Sequence, residues 1–201
     1  YVIVKGENPY TKIEALYLLA EARLAAYSKE LGETPEVLWR GKGADLVGIE
    51  YEQLIPWANP GEGAFKIIPG DYVTTEDGTG IVHIAPTFGA DDDRVARAAG
   101  ISPLFMVDTA GKNCPMVDRS GRFFRLEDLD KEFTEKYVDV ALYKEWAGRY
   151  VKNAYDAALA DSDTTLDIDI CVMLKGESKV FKIEKHTHSY PHCWRTDKPV
   201  L

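Results

Sequence analysis

The 201-residue sequence contains no apolar run of roughly 18 residues, the length a helix needs to cross a bilayer, and no stretch with the pattern of a signal peptide. Cysteine is scarce: Cys114, Cys171 and Cys193 are an odd number with no Cys-x-x-Cys pair, which argues against a disulfide framework and for a reducing compartment. Basic residues are outnumbered, 24 Lys and Arg against 33 Asp and Glu, for a net charge of −9. A protein that tracks a nucleic-acid backbone usually shows a basic face, which this balance of charge does not favour. Any nucleic-acid contact is expected to be local, such as a strand end, with phosphate grip supplied elsewhere; otherwise the charge serves solubility. Nucleophile-elbow, phosphate-loop, dinucleotide-binding and zinc-protease motifs are all missing, as are internal repeats and low-complexity tracts. The first residue is Tyr1 rather than Met, so the sequence is expected to be cut from a longer one.

What is present is a globular composition, 45% hydrophobic and 28% charged. The length suits a single sizeable core with an excursion. Tyr1-Val2-Ile3-Val4-Lys5 reads as a strand. Thr11-Lys12-Ile13-Glu14 has the form of a capping box, and Ile13, Leu16, Ala20, Leu24 and Tyr27 recur at helical spacing, so the pattern predicts a helix over about 11–31 with Gly32 as its stop. Short strands are expected at 37–40, 50–54, 64–68, 72–75, 104–107 and 180–184, with a helical turn at 44–48; this spacing suggests a small barrel or sandwich. A helix is expected from Asp91 to Ala99 and another from Asp167 to about Leu174. Residues 126–163 are charged and helical in pattern, and read as two surface helices inserted in the barrel.

The densest stretch runs from Asp77 to Asp93, DGTGIVHIAPTFGADDD. Asp77-Gly78 is a tight-turn signal between strands. Ile81 and Val82 are expected to be buried. His83 is expected to emerge near the Ala85-Pro86 break, with Asp92 at the start of the following helix, so that both face one cleft. The alternative from residue types is a hydrogen-bonded core histidine and aspartates that cap a helix. The tail holds His186, His188, His192 and Cys193, either a metal site or a structured exit segment; Thr196 stands where a second Cys ligand would be needed. Lys175 to Lys185 carries a weak basic patch, read as a solvated turn.

GTGIVHIAPTFGADDDRV, HSYPHCWRTDKPV and GADLVGIEYEQLIPW resemble the editing (connective-peptide) domain of class I aminoacyl-tRNA synthetases, the isoleucyl members more than the valyl or leucyl ones. The resemblance covers most of the chain and is weakest over 126–163. It implies a mixed β-barrel with peripheral α-helices: a single editing domain over 1–201, with a helical insertion at about 126–166 and an exit segment 186–201 that returns to the catalytic domain. It also implies an aminoacyl-tRNA ester hydrolase that clears Val-tRNA(Ile). One methylene separates valine from isoleucine, worth about 1–3 kcal/mol, too little for selection in one step.

By motif position, Asp92 matches the aspartate that holds the substrate α-ammonium, and His83 the histidine that lines the pocket and excludes the larger side chain. Gly78, Thr79, Gly80 and Thr87 lie on the same walls, and Asp91 and Asp93 serve capping and shape. The family's water attack uses no protein nucleophile, so positioning carries the rate. The implied partners are the valine-charged 3′ end of tRNA(Ile) and the catalytic domain of the same chain, in a cytoplasmic monomer without membrane contact. No cofactor is expected in this domain, ATP and Mg belonging to the parent catalytic domain. No metal is expected either, because Cys193-Trp194-Arg195-Thr196 lacks the second cysteine that some members use for zinc. The family's threonine-rich segment is expected just before Tyr1, so this chain alone is expected to deacylate weakly. The competing readings are a non-catalytic module that binds the tRNA end, and an editing domain of the valyl or leucyl kind.

Overall fold

The computed structural model describes residues 1–59, 63–160, 162–185, 189–197 and 199–200. The chain divides into two compact units: Tyr1–Gln53 with Glu62–Pro103, and Leu54–Gly61 with Leu104–Leu201.

The first unit is built on β1 (Val2–Glu7), a β-branched strand at the centre of a three-stranded antiparallel sheet. β2 (Glu14–Leu19) pairs with it along its length, from Val2 opposite Leu19 to Glu7 opposite Glu14, and β3 (Val37–Arg40) pairs on the other side. Cross-strand partners share a face of the sheet, so Val2, Val4, Tyr17 and Leu19 point the same way. Val2, Val4 and Leu19 are buried there.

β2 overturns the helix expected from residue 11. The hydroxyl of Thr11 accepts the Ile13 amide in a turn and does not cap a helix. Asn8 accepts the Tyr10 and Thr11 amides through its side chain, Pro9 follows it, and Lys12 takes φ 60°, so the chain reverses before any helix can start. Ile13 and Leu16, the first residues of the apparent helical stripe, are exposed. Helical geometry begins only at the 3-10 segment Glu21–Tyr27 and continues into α1 (Ser28–Leu31). Gly32 follows with φ 85°, in the stop role expected of it.

A barrel is not formed among the described residues: the sheets are the three-stranded one and a two-stranded one, both open. The expected strands at 50–54 and 64–68 reduce to the bridge between Glu50 and Lys66, and 72–75 and 180–184 have no strand. Pro69 and Gly70 lie between two of these segments, and proline cannot donate to a ladder while glycine weakens one. The turn expected at 44–48 is present as Gly43–Leu46, and α2 (Ala90–Ala98) lies close to its expected place.

The second unit has a two-stranded sheet of β4 (Met106–Val107) and β5 (Asn113–Cys114), the short helices α3 (Lys131–Tyr137) and α4 (Val140–Tyr143), and α5 (Leu166–Gly176). Asp130 and Asp139 cap α3 and α4 by accepting the Phe133 and Leu142 amides. The core is aromatic. Trp57 stacks on Trp146 with centroids 4.9 Å apart and meets Phe123 edge-on at 5.6 Å. Met106, Leu129, Val138, Tyr143 and Leu166 complete it. Residues 126–166, expected as surface helices, thus supply core side chains, and α4 within them is a single turn. Among the described residues no helix is long and apolar enough to cross a membrane.

Candidate functional site in the first unit

Each residue singled out between Asp77 and Asp93 lies in the first unit. The turn at its start is held from four directions. Gly80 donates its amide to the Asp77 carbonyl at 3.0 Å. Arg23 donates to the carbonyls of Glu76 and Gly78, both at 2.8 Å. The Ala20 amide donates to the Thr79 carbonyl at 2.8 Å, and the Tyr1 hydroxyl donates to the Gly80 carbonyl at 2.7 Å. Gly80 is buried at φ 75°, and a Cβ there would stand 2.5 Å from the Ala20 Cβ, so only glycine fits.

From this anchor the chain runs without regular structure to Ala85. Ile81 and Val82 are 41% and 50% exposed, not buried as expected, because no strand forms around them to cover them. His83 is exposed too, which removes the core-histidine alternative. The segment that carries it is tied at its far end: the Ala85 amide donates to Asp92 Oδ2 at 3.0 Å. His83 itself makes no hydrogen bond with Asp92 among the described residues; the two are linked through the backbone, two residues from His83. Thr87 is half-buried in the loop that leads to Gly89.

The aspartates do not cap α2, whose first residue follows Gly89 with no side-chain cap. Asp91 lies 3.5 Å from Arg94 and Asp93 lies 2.6 Å from Arg97, the spacings of one helical turn. Arg94 also holds Asp71 through two hydrogen bonds of 2.8 and 3.3 Å, and this guanidinium keeps the Asp71 carboxyl below its usual pKa. Asp92 differs from its neighbours. Its Oδ1 accepts the Tyr72 hydroxyl at 3.0 Å and its Oδ2 the Ala85 amide, both uncharged donors. Among the described residues no Lys or Arg pairs with it. A carboxylate offers about four acceptor positions, so two remain open after those bonds. The arrangement is a half-buried, oriented anion with spare capacity for a cationic group.

Tyr72 had no sequence signal, being twenty residues from Asp92 in an expected strand. Its phenol is pushed above the usual pKa, by burial first and then by its bond to Asp92.

In the tail, the His192 ring lies 2.8 Å from the Tyr190 carbonyl, and the Cys193 thiol is lowered by its hydrogen bond to Thr196. His186 and His188 lie outside the described residues. Among the described residues no group of three or more His, Cys, Asp or Glu is placed to hold a metal ion. Within the basic patch, Lys179 pairs with Glu177 and Lys182 with Glu184.

No family model matches the chain. Individual proteins do. The isoleucine–tRNA ligase of Bacteroides fragilis is 56% identical over 215 residues, and that of Porphyromonas gingivalis 54% identical over 218, each covering all of this chain. The chain is homologous to part of the isoleucine–tRNA ligases. It spans 19% of the length of those two relatives. The isoleucine–tRNA ligase of Mycobacterium tuberculosis is 36% identical over 210 residues, again covering all of this chain.

Proposed function

We propose that this chain is the editing segment of an isoleucyl-tRNA synthetase and hydrolyses the ester of valine wrongly attached to tRNA(Ile). The observation that carries the proposal is Asp92, the member of the aspartate run that pairs with no arginine among the described residues. An aminoacyl ester presents an α-ammonium next to its scissile bond. Asp92 would receive that ammonium in a charge-assisted hydrogen bond and so fix the ester carbonyl in place. His83, on a backbone tied at Gly80 and at Ala85, would form the wall that a valine side chain clears and an isoleucine side chain meets. Gly78, Thr79, Gly80 and Thr87 would shape the rest of the pocket, with Asp91 beside it.

The attacking group would be water, as the family resemblance implies, and the protein would contribute orientation, which supplies a large part of a barrier when reactants are held in line. The parent enzyme's aminoacylation chemistry, with ATP and Mg, would belong to residues outside this chain. The tRNA 3′ end, delivered in the cytoplasm, is the partner. Homology to isoleucine–tRNA ligases favours the isoleucyl reading over a valyl or leucyl one.

The test is Asp92→Ala in the full-length synthetase that carries this sequence. Deacylation of Val-tRNA(Ile) is expected to fall at least a hundredfold while isoleucine attachment continues at its normal rate, the loss matching a charge-assisted contact of about 3 kcal/mol. Unchanged deacylation would reject the catalytic reading in favour of a module that only binds the tRNA end.

A further inference from the structure

The geometry points to Tyr72 as the positioning residue that orients the Asp92 carboxylate for an α-ammonium group. This rests on the editing reading above and adds a residue to it. Tyr72 donates its hydroxyl to Oδ1 at 3.0 Å while the Ala85 amide takes Oδ2 at 3.0 Å. Two donors on two oxygens fix the carboxylate plane, which one donor alone would leave free to turn. Both donors are neutral. An arginine or lysine in the place of Tyr72 would orient the carboxylate equally well but would cancel the charge that attracts an ammonium. A phenol holds the group and leaves its charge intact.

The placement of Tyr72 is itself enforced. Its neighbour Asp71 is gripped by both terminal nitrogens of Arg94, which projects from α2 two residues after Asp92. The dipeptide Asp71-Tyr72 is therefore clamped to the first turns of α2 at two points, and the phenol is half-buried against them. The direction of the hydrogen bond is fixed as well, because burial and the adjacent carboxylate both keep the phenol protonated, and so a donor.

The experiment compares two ligands on the full-length synthetase: a non-hydrolysable valyl-adenosine analogue, and the same molecule without the α-ammonium. In Tyr72→Phe, affinity for the first is expected to drop about tenfold, the value of one hydrogen bond to a charged group, with affinity for the second unchanged. A merely structural role would weaken both ligands alike. Equal losses for the two ligands, or no loss for either, would overturn the assignment of Tyr72. Asp92→Ala is measured in parallel. If that variant still prefers the ammonium-bearing ligand as the parent enzyme does, the reading of Asp92 fails and the role of Tyr72 fails with it. If Asp92→Ala loses the preference and Tyr72→Phe keeps it, only the role of Tyr72 is overturned.

Discussion

Asp91, Asp92 and Asp93 follow one another in the first turn of α2, and their carboxylates have different fates because of what reaches them. Arg94 and Arg97, three and four residues downstream, take Asp91 and Asp93. Those spacings are legible in a sequence once the helix is assumed. The donor to Asp92 is not legible, because Tyr72 is brought to it by the fold and by the Asp71–Arg94 clamp. The exposure of His83 agrees with its expected emergence near Ala85-Pro86, whereas Ile81 and Val82, expected to be buried, are exposed because no strand forms around them. Gly80 is the residue on which the placement of this segment depends. Gly80→Ala would force a Cβ to 2.5 Å from that of Ala20 at φ 75°, a conformation L-residues resist. It is expected to destabilise the first unit by about 2–3 kcal/mol, read as a lowered denaturation midpoint in urea. A midpoint equal to that of the parent protein would show that the turn is not held as described.

At the scale of elements, the largest departure from the sequence pattern is β2. Residues 13–27 carry helical periodicity, yet a three-residue signal, Asn8-Pro9 with Lys12 at positive φ, reverses the chain and hands Glu14–Leu19 to β1 as a strand. Tertiary pairing overrides the local preference because it buries Leu19 beside Val2 on one continuous face. In the second unit the pattern misled in the opposite sense. Charged residues around Leu129, Val138, Tyr143 and Trp146 suggested a surface insertion, whereas the apolar residues between them fill the core around Trp57. Tyr143 ties that core to the chain: fully buried, it donates to the Phe124 carbonyl at 2.7 Å. Tyr143→Phe is expected to cost about 1 kcal/mol at neutral pH by orphaning that carbonyl. Burial, with lesser contributions from Cys114 and Asp118, raises the phenol above its ordinary pKa. A raised folded-state pKa stabilises below the unfolded value of about 10 and loses that contribution as pH climbs past it. Thermal unfolding curves should therefore show a steeper alkaline decline for the parent protein than for Tyr143→Phe, and parallel declines would contradict the burial of this hydroxyl as the cause.

For the whole molecule, a net charge of −9 leaves little room for a broad grip on nucleic acid. A single oriented carboxylate, proposed above to meet an ammonium at the very end of a charged tRNA, is compatible with that charge, and the chain is homologous along its full length to part of the isoleucine–tRNA ligases. The motif run from Gly78 to Asp93 singled out the candidate site in the sequence, while the partners of Asp92 there, Tyr72 and the Ala85 amide, came only with the fold. The most direct measurement is a crystal structure of the full-length synthetase with a non-hydrolysable valyl-adenosine analogue. The expected result is the α-ammonium within about 3 Å of Asp92, with the bonds from Tyr72 and Ala85 retained and the valine side chain against His83. An analogue bound elsewhere, or bound here with its ammonium away from Asp92, would contradict the central claim.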